Sequence, residues 1–340
     1  MKVRLLGTAA GGGAPQWNCA CAQCARIRAA GGARTQDCMA VSGDGRAWYL
    51  LNASPELRAQ LLAAPELTPT GARETPLRGV LLTDAELDHT LGLLCLREAS
   101  ALTVYATATV LSALDSAFPI RSVLGAYTPV AWQELATDRA VELGGGLTAT
   151  VIALGAKRPR YVSGAEAGEW VSALRVHDGW TGGVLVYAPC LARWDSAFDA
   201  ALDGADLLVL DGTFATADEM AARTRTTTTA GQAAMGHLPI AESLPHVANR
   251  RGLRVIYTHL NNTNPVLSGD SPLAARLRAA GAEVGADGQL ITVCPPEFPP
   301  DPERSPHDEP RLETGGRPRR HAAPGRRPAG RSGVRGADAV

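Results

Sequence analysis

LTDAELDHTLGLL, Leu82 to Leu94, carries the plainest architectural signal in the chain. An apolar, β-like run, Arg78-Gly79-Val80-Leu81-Leu82, leads into it, and an amphipathic helical pattern carries on to Glu98. Four side chains able to hold a cation, Asp84, Glu86, Asp88 and His89, therefore sit on the turn where the carboxyl end of a strand meets a helix. Far downstream a second β-like run, Leu253 to Tyr257, ends in Thr258-His259-Leu260-Asn261-Asn262-Thr263-Asn264-Pro265. Two strand-end loops bearing carboxylate and imidazole can converge on one divalent cation. The same residues also describe a helix N-terminus at which Asp84 or Asp88 only complements the dipole.

Working outward, extended runs recur around 2–6, 46–51, 78–83, 102–106, 147–154, 170–176, 183–188, 206–210 and 253–258. Helix-like stretches lie between several of them: 55–63, with Ser54 at the N-cap and Pro55 at the first helical position, then 87–99, 196–202, 238–249 and 272–280. Strands at hairpin spacing followed by strands alternating with helices suggest two sheets sandwiched by helices. From 295 onward the chain is rich in Pro, Gly and Arg with few large apolar residues, which predicts one domain over 1–294 and a disordered tail over 295–340.

A chain of 340 residues, 45% hydrophobic and 20% charged, can bury a full core. The net charge of −1 conceals an asymmetry, because 315–340 carries seven arginines against one aspartate. The mildly acidic body offers no electrostatic footprint for nucleic acid. There is no basic-then-apolar leader and no apolar run long enough to span a bilayer, so a cytoplasmic protein without membrane insertion is expected. Seven cysteines in such a chain argue against a disulfide framework. Cys19, Cys21 and Cys24 crowd into six residues and can wrap one face of a tetrahedral Zn²⁺, as a structural site. Cys38, Cys95, Cys190 and Cys294 are scattered and read as small core or surface residues.

Asp211, in LLVLDGTF (207–214), also ends a strand; it reads as a metal ligand, an outer-sphere carboxylate or an Asx-turn. His237, in Met235-Gly236-His237-Leu238, precedes a helix and can serve as an acid/base or substrate anchor, or be structural. Lys157, Arg158 and Arg160 form a cationic run, a solvated loop by default and a carboxylate-binding wall if it faces a cleft. Gly11-Gly12-Gly13 lacks the P-loop pattern and reads as close backbone packing.

A strand followed by Thr-Asp-x-x-x-Asp-His-x-x-Gly resembles the His-x-His-x-Asp-His metal motif of the metallo-β-lactamase superfamily, with Asp84 and Glu86 standing where the leading histidines would be. More of the chain resembles the coenzyme PQQ biosynthesis protein B (PqqB) family: LLGTAAGGGAPQWNCACAQC (5–24), LLNASPELRAQL (50–61), LTDAELDHTLGLLCLRE (82–98), LLVLDGTF (207–214), MGH (235–237) and THLNNTNPVL (258–267). The resemblance implies an α/β fold, a metallo-β-lactamase-like αββα sandwich of two mixed sheets flanked by helices. It implies that Asp88, His89 and His259, with Asp211 joining or supporting them, hold Fe(II), a two-histidine, one-carboxylate set with open positions. His237 would manage protons or substrate.

The implied activity is iron- and O2-dependent hydroxylation of the tyrosine ring in a Glu-Tyr-derived precursor of pyrroloquinoline quinone (PQQ), with other PQQ biosynthesis proteins as possible partners. The alternatives are a carrier of PQQ or its precursor that aids export, and a superfamily metallo-hydrolase. The hydrolase needs two metals, yet the stretch Leu154-Gly155-Ala156-Lys157 has no histidine and Pro189 stands in the loop where such enzymes carry a bridging aspartate. Related Cys-x-Cys-x-x-Cys proteins place a histidine where this chain has Asn262, which leaves the fourth zinc ligand open.

Overall fold

Period-two alternation along the strands sets the layers. In β3 (Trp48–Leu51), Trp48 and Leu50 enter one apolar cluster while Tyr49 and Leu51 enter another. In β11 (Leu207–Asp211), Leu208 and Leu210 divide from Leu207 and Val209 in the same way. All eight side chains are buried, so both faces of each sheet are covered. A fully buried leucine in such a layer contributes about 1.5–3 kcal/mol.

This computed structural model describes residues 1–137, 139–163, 168–224, 227–248 and 250–294; the expected disordered tail, 295–340, lies outside the described residues. The first sheet takes β1 (Lys2–Gly7), β2 (Cys38–Ser42), β3, β4 (Leu77–Leu81), β5 (Leu102–Ala106), β6 (Val130–Glu134) and β14 (Leu290–Thr292), in the order β14-β1-β2-β3-β4-β5-β6. The second takes β7 (Val141–Glu142), β8 (Leu147–Gly155), β9 (Val171–Asp178), β10 (Val184–Ala188), β11, β12 (Arg254–Thr258) and β13 (Ala282–Val284), in the order β13-β12-β11-β10-β9-β8-β7. Val3, Leu5, Met39, Val41 and Leu81 from one sheet meet Leu174, Val176, Leu185, Val209 and Ile256 from the other in the central core. Both sheets are mixed: β3 to β6 run parallel, as do β10 to β13, and the remaining pairs are antiparallel. The expected αββα sandwich is the architecture found.

Two local expectations change. The helix expected from Ser54-Pro55 starts later, at Leu57, because Ser54 Oγ turns inward to donate to Gln60 Oε1 at 2.8 Å instead of capping. The helix expected over 87–99 is one α-helical turn, Leu87–Thr90, followed by a 3₁₀ segment, Leu91–Leu96. Gly92 is the reason for the break: a Cβ there would lie 2.2 Å from Ser54 O, and Gly92 N donates to Ala53 O at 2.9 Å. The segment is drawn against the β3 loop more tightly than a regular helix permits.

Candidate metal centre and cavity

The parallel strands deliver their carboxyl ends to one place. Behind β4, Thr83 N donates to Asn52 Oδ1, and Asn52 itself holds a left-handed φ of 63°. Asp84 is buried and accepts from Thr83 Oγ1 at 2.8 Å and Glu86 N at 2.9 Å. Its carboxylate lies 2.8 Å from His89 Nδ1, which must donate, since an ionised carboxylate only accepts. In the neutral ring, the form able to bind a metal, the proton on Nδ1 leaves Nε2 as the lone-pair nitrogen, and His89 Nε2 is buried without a hydrogen-bond partner among the described residues.

His259 reaches the same point from β12. Its φ of 55° is left-handed, which costs a non-glycine residue about 1–2 kcal/mol. That turn is pinned by Gly212 N donating to Thr258 O and Leu260 N donating to Thr8 O. Thr213 Oγ1 lies 2.6 Å from Asp211 Oδ1 and 2.8 Å from His259 Nδ1. A hydroxyl has one proton; given to the aspartate, it leaves the oxygen to accept from His259 Nδ1–H. Nε2 again becomes the lone-pair nitrogen, and again it is buried without a hydrogen-bond partner among the described residues. Carboxylate or hydroxyl on one imidazole nitrogen and an ion on the other is the arrangement of metal-binding histidines.

Asp88 stands beside His259, its Oδ2 3.4 Å from Nε2. That is long for a charge-assisted hydrogen bond, but it matches the roughly 3.3 Å edge between two ligands of a tetrahedral ion with bonds of about 2.0–2.1 Å. Gly11 makes the close approach possible, since a Cβ there would lie 3.0 Å from Asp88 Oδ2. The electrostatics agree. Burial would lower the His89 pKa, but Asp84 and Asp88 outweigh it and push the imidazole up to about 10. Burial would raise the Asp88 carboxyl, yet His89 and His259 hold it well below the usual carboxylate range. Asp37, buried and bonded by Tyr187 and Thr258, adds another carboxyl beneath the histidines. Burial raises the Asp37 carboxyl toward its neutral form, while the ionised Asp84 and Asp88 call for a cationic partner, a protonated imidazole or a bound ion.

Asp211 sits differently. Its Oδ1 accepts from Thr213 N and Oγ1, and its Oδ2 from Leu191 N and His237 Nδ1, the last two both at 2.8 Å. Its lone pairs are taken, which fits a carboxylate behind His237 better than a ligand, although Asp211, His237 and His259 offer donor atoms within 4.8 Å of one another. His237 stacks on His259 with ring centroids 5.1 Å apart, and its remaining nitrogen is Nε2.

Asp88, His89, His237 and His259 line a cavity of about 800 Å³. Lys157, Arg158, Arg160 and Tyr161 form part of its wall. Glu86, which carries no partner in the histidine cluster, pairs with Lys157 at 3.0 Å. Arg158 and Arg160 make no ion pair among the described residues. Sequence reasoning missed two members of this region. Cys190, read as a scattered core or surface cysteine, lines the cavity, with its sulfur, a His89 nitrogen and a His259 nitrogen all within 4.8 Å of one another. Thr213 was overlooked beside Asp211, although a hydroxyl two residues past a strand-end aspartate is a plain hydrogen-bonding signal.

Cys19, Cys21 and Cys24 do converge, their sulfurs within 4.8 Å of one another. Cys21 N and Gln16 N point at the sulfurs of Cys19 and Cys24, each at 3.4 Å. The Asn262 carboxamide faces the same group, 3.2 Å from Cys24 Sγ and 3.8 Å from Cys21 Sγ. Burial pushes the Cys21 thiol up to about 11.

Comparison with known proteins places the chain among relatives. The Beta-lactamase superfamily domain matches residues 47–260. Coenzyme PQQ synthesis protein B of Cupriavidus necator is 42% identical over 312 residues, covering 86% of this chain and 99% of that protein. The counterpart in Azotobacter vinelandii is 39% identical over 305 residues, covering 86% and 100%. The crystal structure of Zn(2+)-bound PqqB from Methylobacterium extorquens superposes with a TM-score of 0.79 at 37% identity, covering 86% of this chain and all of that one. A diphosphatase of the PhnP family, 18% identical with a TM-score of 0.62, covers 86% of this chain and 98% of its own, and shares the fold.

Proposed function

This chain belongs to the coenzyme PQQ synthesis protein B family, built on the metallo-β-lactamase fold, and on that premise we propose that it serves PQQ biosynthesis as an iron- and O2-dependent hydroxylase of the tyrosine ring in a Glu-Tyr-derived precursor. The observation that carries the reading is the pair of buried Nε2 atoms of His89 and His259, neither with a hydrogen-bond partner among the described residues, beside the Asp88 carboxylate. These three residues would hold Fe(II). When bound, the iron supplies a redox centre with open positions, as two-histidine, one-carboxylate sites do.

The protein's own groups do the rest. Asp84 and Thr213 fix the tautomers that leave both Nε2 atoms free to ligate. Asp211 fixes His237 through Nδ1, so His237 presents Nε2 to the phenol of a bound tyrosine and can take or return its proton. Arg158 and Arg160 are the partners for the substrate's carboxylates, while Glu86 draws off much of the Lys157 charge. Each oxygen atom placed on the ring, with the other leaving as water, consumes two electrons from an added reductant. At the second site, Cys19, Cys21 and Cys24 hold a structural Zn²⁺, with the Asn262 carboxamide turned so that its oxygen takes the fourth position.

A second ion, as in a dinuclear hydrolase, would have to displace donors that already occupy Asp211. The test is anaerobic loading with Fe(II), then Glu-Tyr peptide, reductant and O2, read by metal analysis and product mass. Oxygen-dependent mass gain that vanishes in His259→Ala supports the hydroxylase. Tight peptide or PQQ binding with full iron and no oxidised product refutes it and favours the carrier.

A further inference from the structure

Cys190 follows β10 by two residues, and Leu191 N, its neighbour, is anchored on Asp211 Oδ2 at 2.8 Å. The anchored loop turns the cysteine into the cavity beside the histidines, where it is buried and its thiol has no hydrogen-bond partner among the described residues. Two independent observations meet here. The Nε2 atoms of His89 and His259 are buried without a hydrogen-bond partner among the described residues, and the Cys190 sulfur and one nitrogen of each ring all lie within 4.8 Å of one another. A tetrahedral ion spaces its sulfur and nitrogen donors by about 3.6 Å, so a small side-chain rotation completes the approach.

Resting on the metal-centre reading above, we infer that Cys190 is a further ligand of the ion held by Asp88, His89 and His259. The site then has two imidazoles, one carboxylate and one thiolate. A soft thiolate favours Zn²⁺, so Cys190 sets the balance between zinc and iron, and it occupies one position that would otherwise be open. The deprotonated sulfur bonds to the ion and its proton leaves to solvent; no electron changes hands.

Cobalt(II) reports this directly. The full chain, with zinc already in the Cys19/Cys21/Cys24 site, is titrated with Co(II) without oxygen; zinc outcompetes cobalt for the three-cysteine site. The expected result is visible d–d absorption with a thiolate-to-cobalt charge-transfer band in the near ultraviolet. Cys190→Ser keeps the d–d absorption and loses the band. Cobalt-edge X-ray absorption of the unmutated protein, which depends on no variant's folding, shows a sulfur neighbour. The affinity for zinc relative to Fe(II) falls by about tenfold or more in Cys190→Ser. An unchanged near-ultraviolet band in Cys190→Ser, or cobalt without a sulfur neighbour while His259→Ala still abolishes the d–d absorption, overturns the role of Cys190 and leaves the metal centre standing. Cobalt spectra indifferent to His259→Ala overturn both.

Discussion

Replacing Thr213 by valine tests how the chain prepares its histidines. Valine matches threonine in shape and removes one oxygen. In the native protein that oxygen accepts from His259 Nδ1–H at 2.8 Å and donates to Asp211 Oδ1 at 2.6 Å. Asp211 Oδ1 keeps the Thr213 backbone N–H in the variant, so the larger loss falls on His259. A buried imidazole N–H without an acceptor costs about 1–3 kcal/mol. Freed from its acceptor, His259 can move its proton to Nε2, the nitrogen proposed to ligate. Loss of such a supporting group weakens metal binding about 10–100-fold, or roughly 1.4–2.7 kcal/mol. The assay is anaerobic competition for Fe(II) and Zn²⁺ against a chromogenic chelator, alongside urea unfolding of the metal-free protein. Thr213→Val is expected to lose both affinity and stability, and Thr213→Ser to recover both. Native affinity in Thr213→Val, at native stability, refutes the claim that Thr213 sets the His259 tautomer.

Four further outcomes follow from the same geometry. His237→Gln keeps its iron but forms product about a hundred- to ten-thousandfold more slowly, measured in a single turnover. Because burial is outweighed by Asp84 and Asp88 and His89 stands near 10, metal-free protein holds a proton there at neutral pH. The stabilisation this gives is fully present below the unfolded value of 6.5 and is lost as pH rises through about 10, so melting of the metal-free protein declines over that window while the metal-loaded form stays flat. Asn262→His tightens zinc at the three-cysteine site by roughly tenfold or more, read by competition with a chelator. Gly92→Ala, whose Cβ would meet Ser54 O, destabilises the fold by about 1–3 kcal/mol in urea unfolding.

The parts of the site that one local segment builds were legible in the sequence. Asp88 and His89 lie on a strand–turn–helix unit, and His259, Asp211 and His237 each follow a recognisable strand or precede a helix. What was hidden depends on strand pairing. Asp211 and Thr258 are register partners across β11 and β12, which is why Thr213 falls under His259 rather than beside its own strand alone. Pro189 drew the reading of the β10 loop, as the residue in place of a bridging aspartate, but the loop follows the last β10–β11 pair, Ala188 with Leu210, and it is the next residue, Cys190, that lies beside the histidines. Asp84 read as a lost ligand because its position matched a histidine; its carboxylate instead fixes His89 from behind. The unforeseen strands β2, β6, β7, β13 and β14 are short and mostly lie toward sheet edges, where pairing rather than residue preference makes the strand. β2 differs in being central and wholly buried, which erases the alternation that marks a strand.

The most direct measurement is a single turnover of the iron-loaded chain with Glu-Tyr peptide, reductant and isotopically labelled O2, followed by mass spectrometry of the peptide. The account predicts label on the tyrosine ring, absent when His89 or His259 is replaced by alanine. An unmodified peptide, or oxygen drawn from water, with iron fully held by Asp88, His89 and His259, would contradict it.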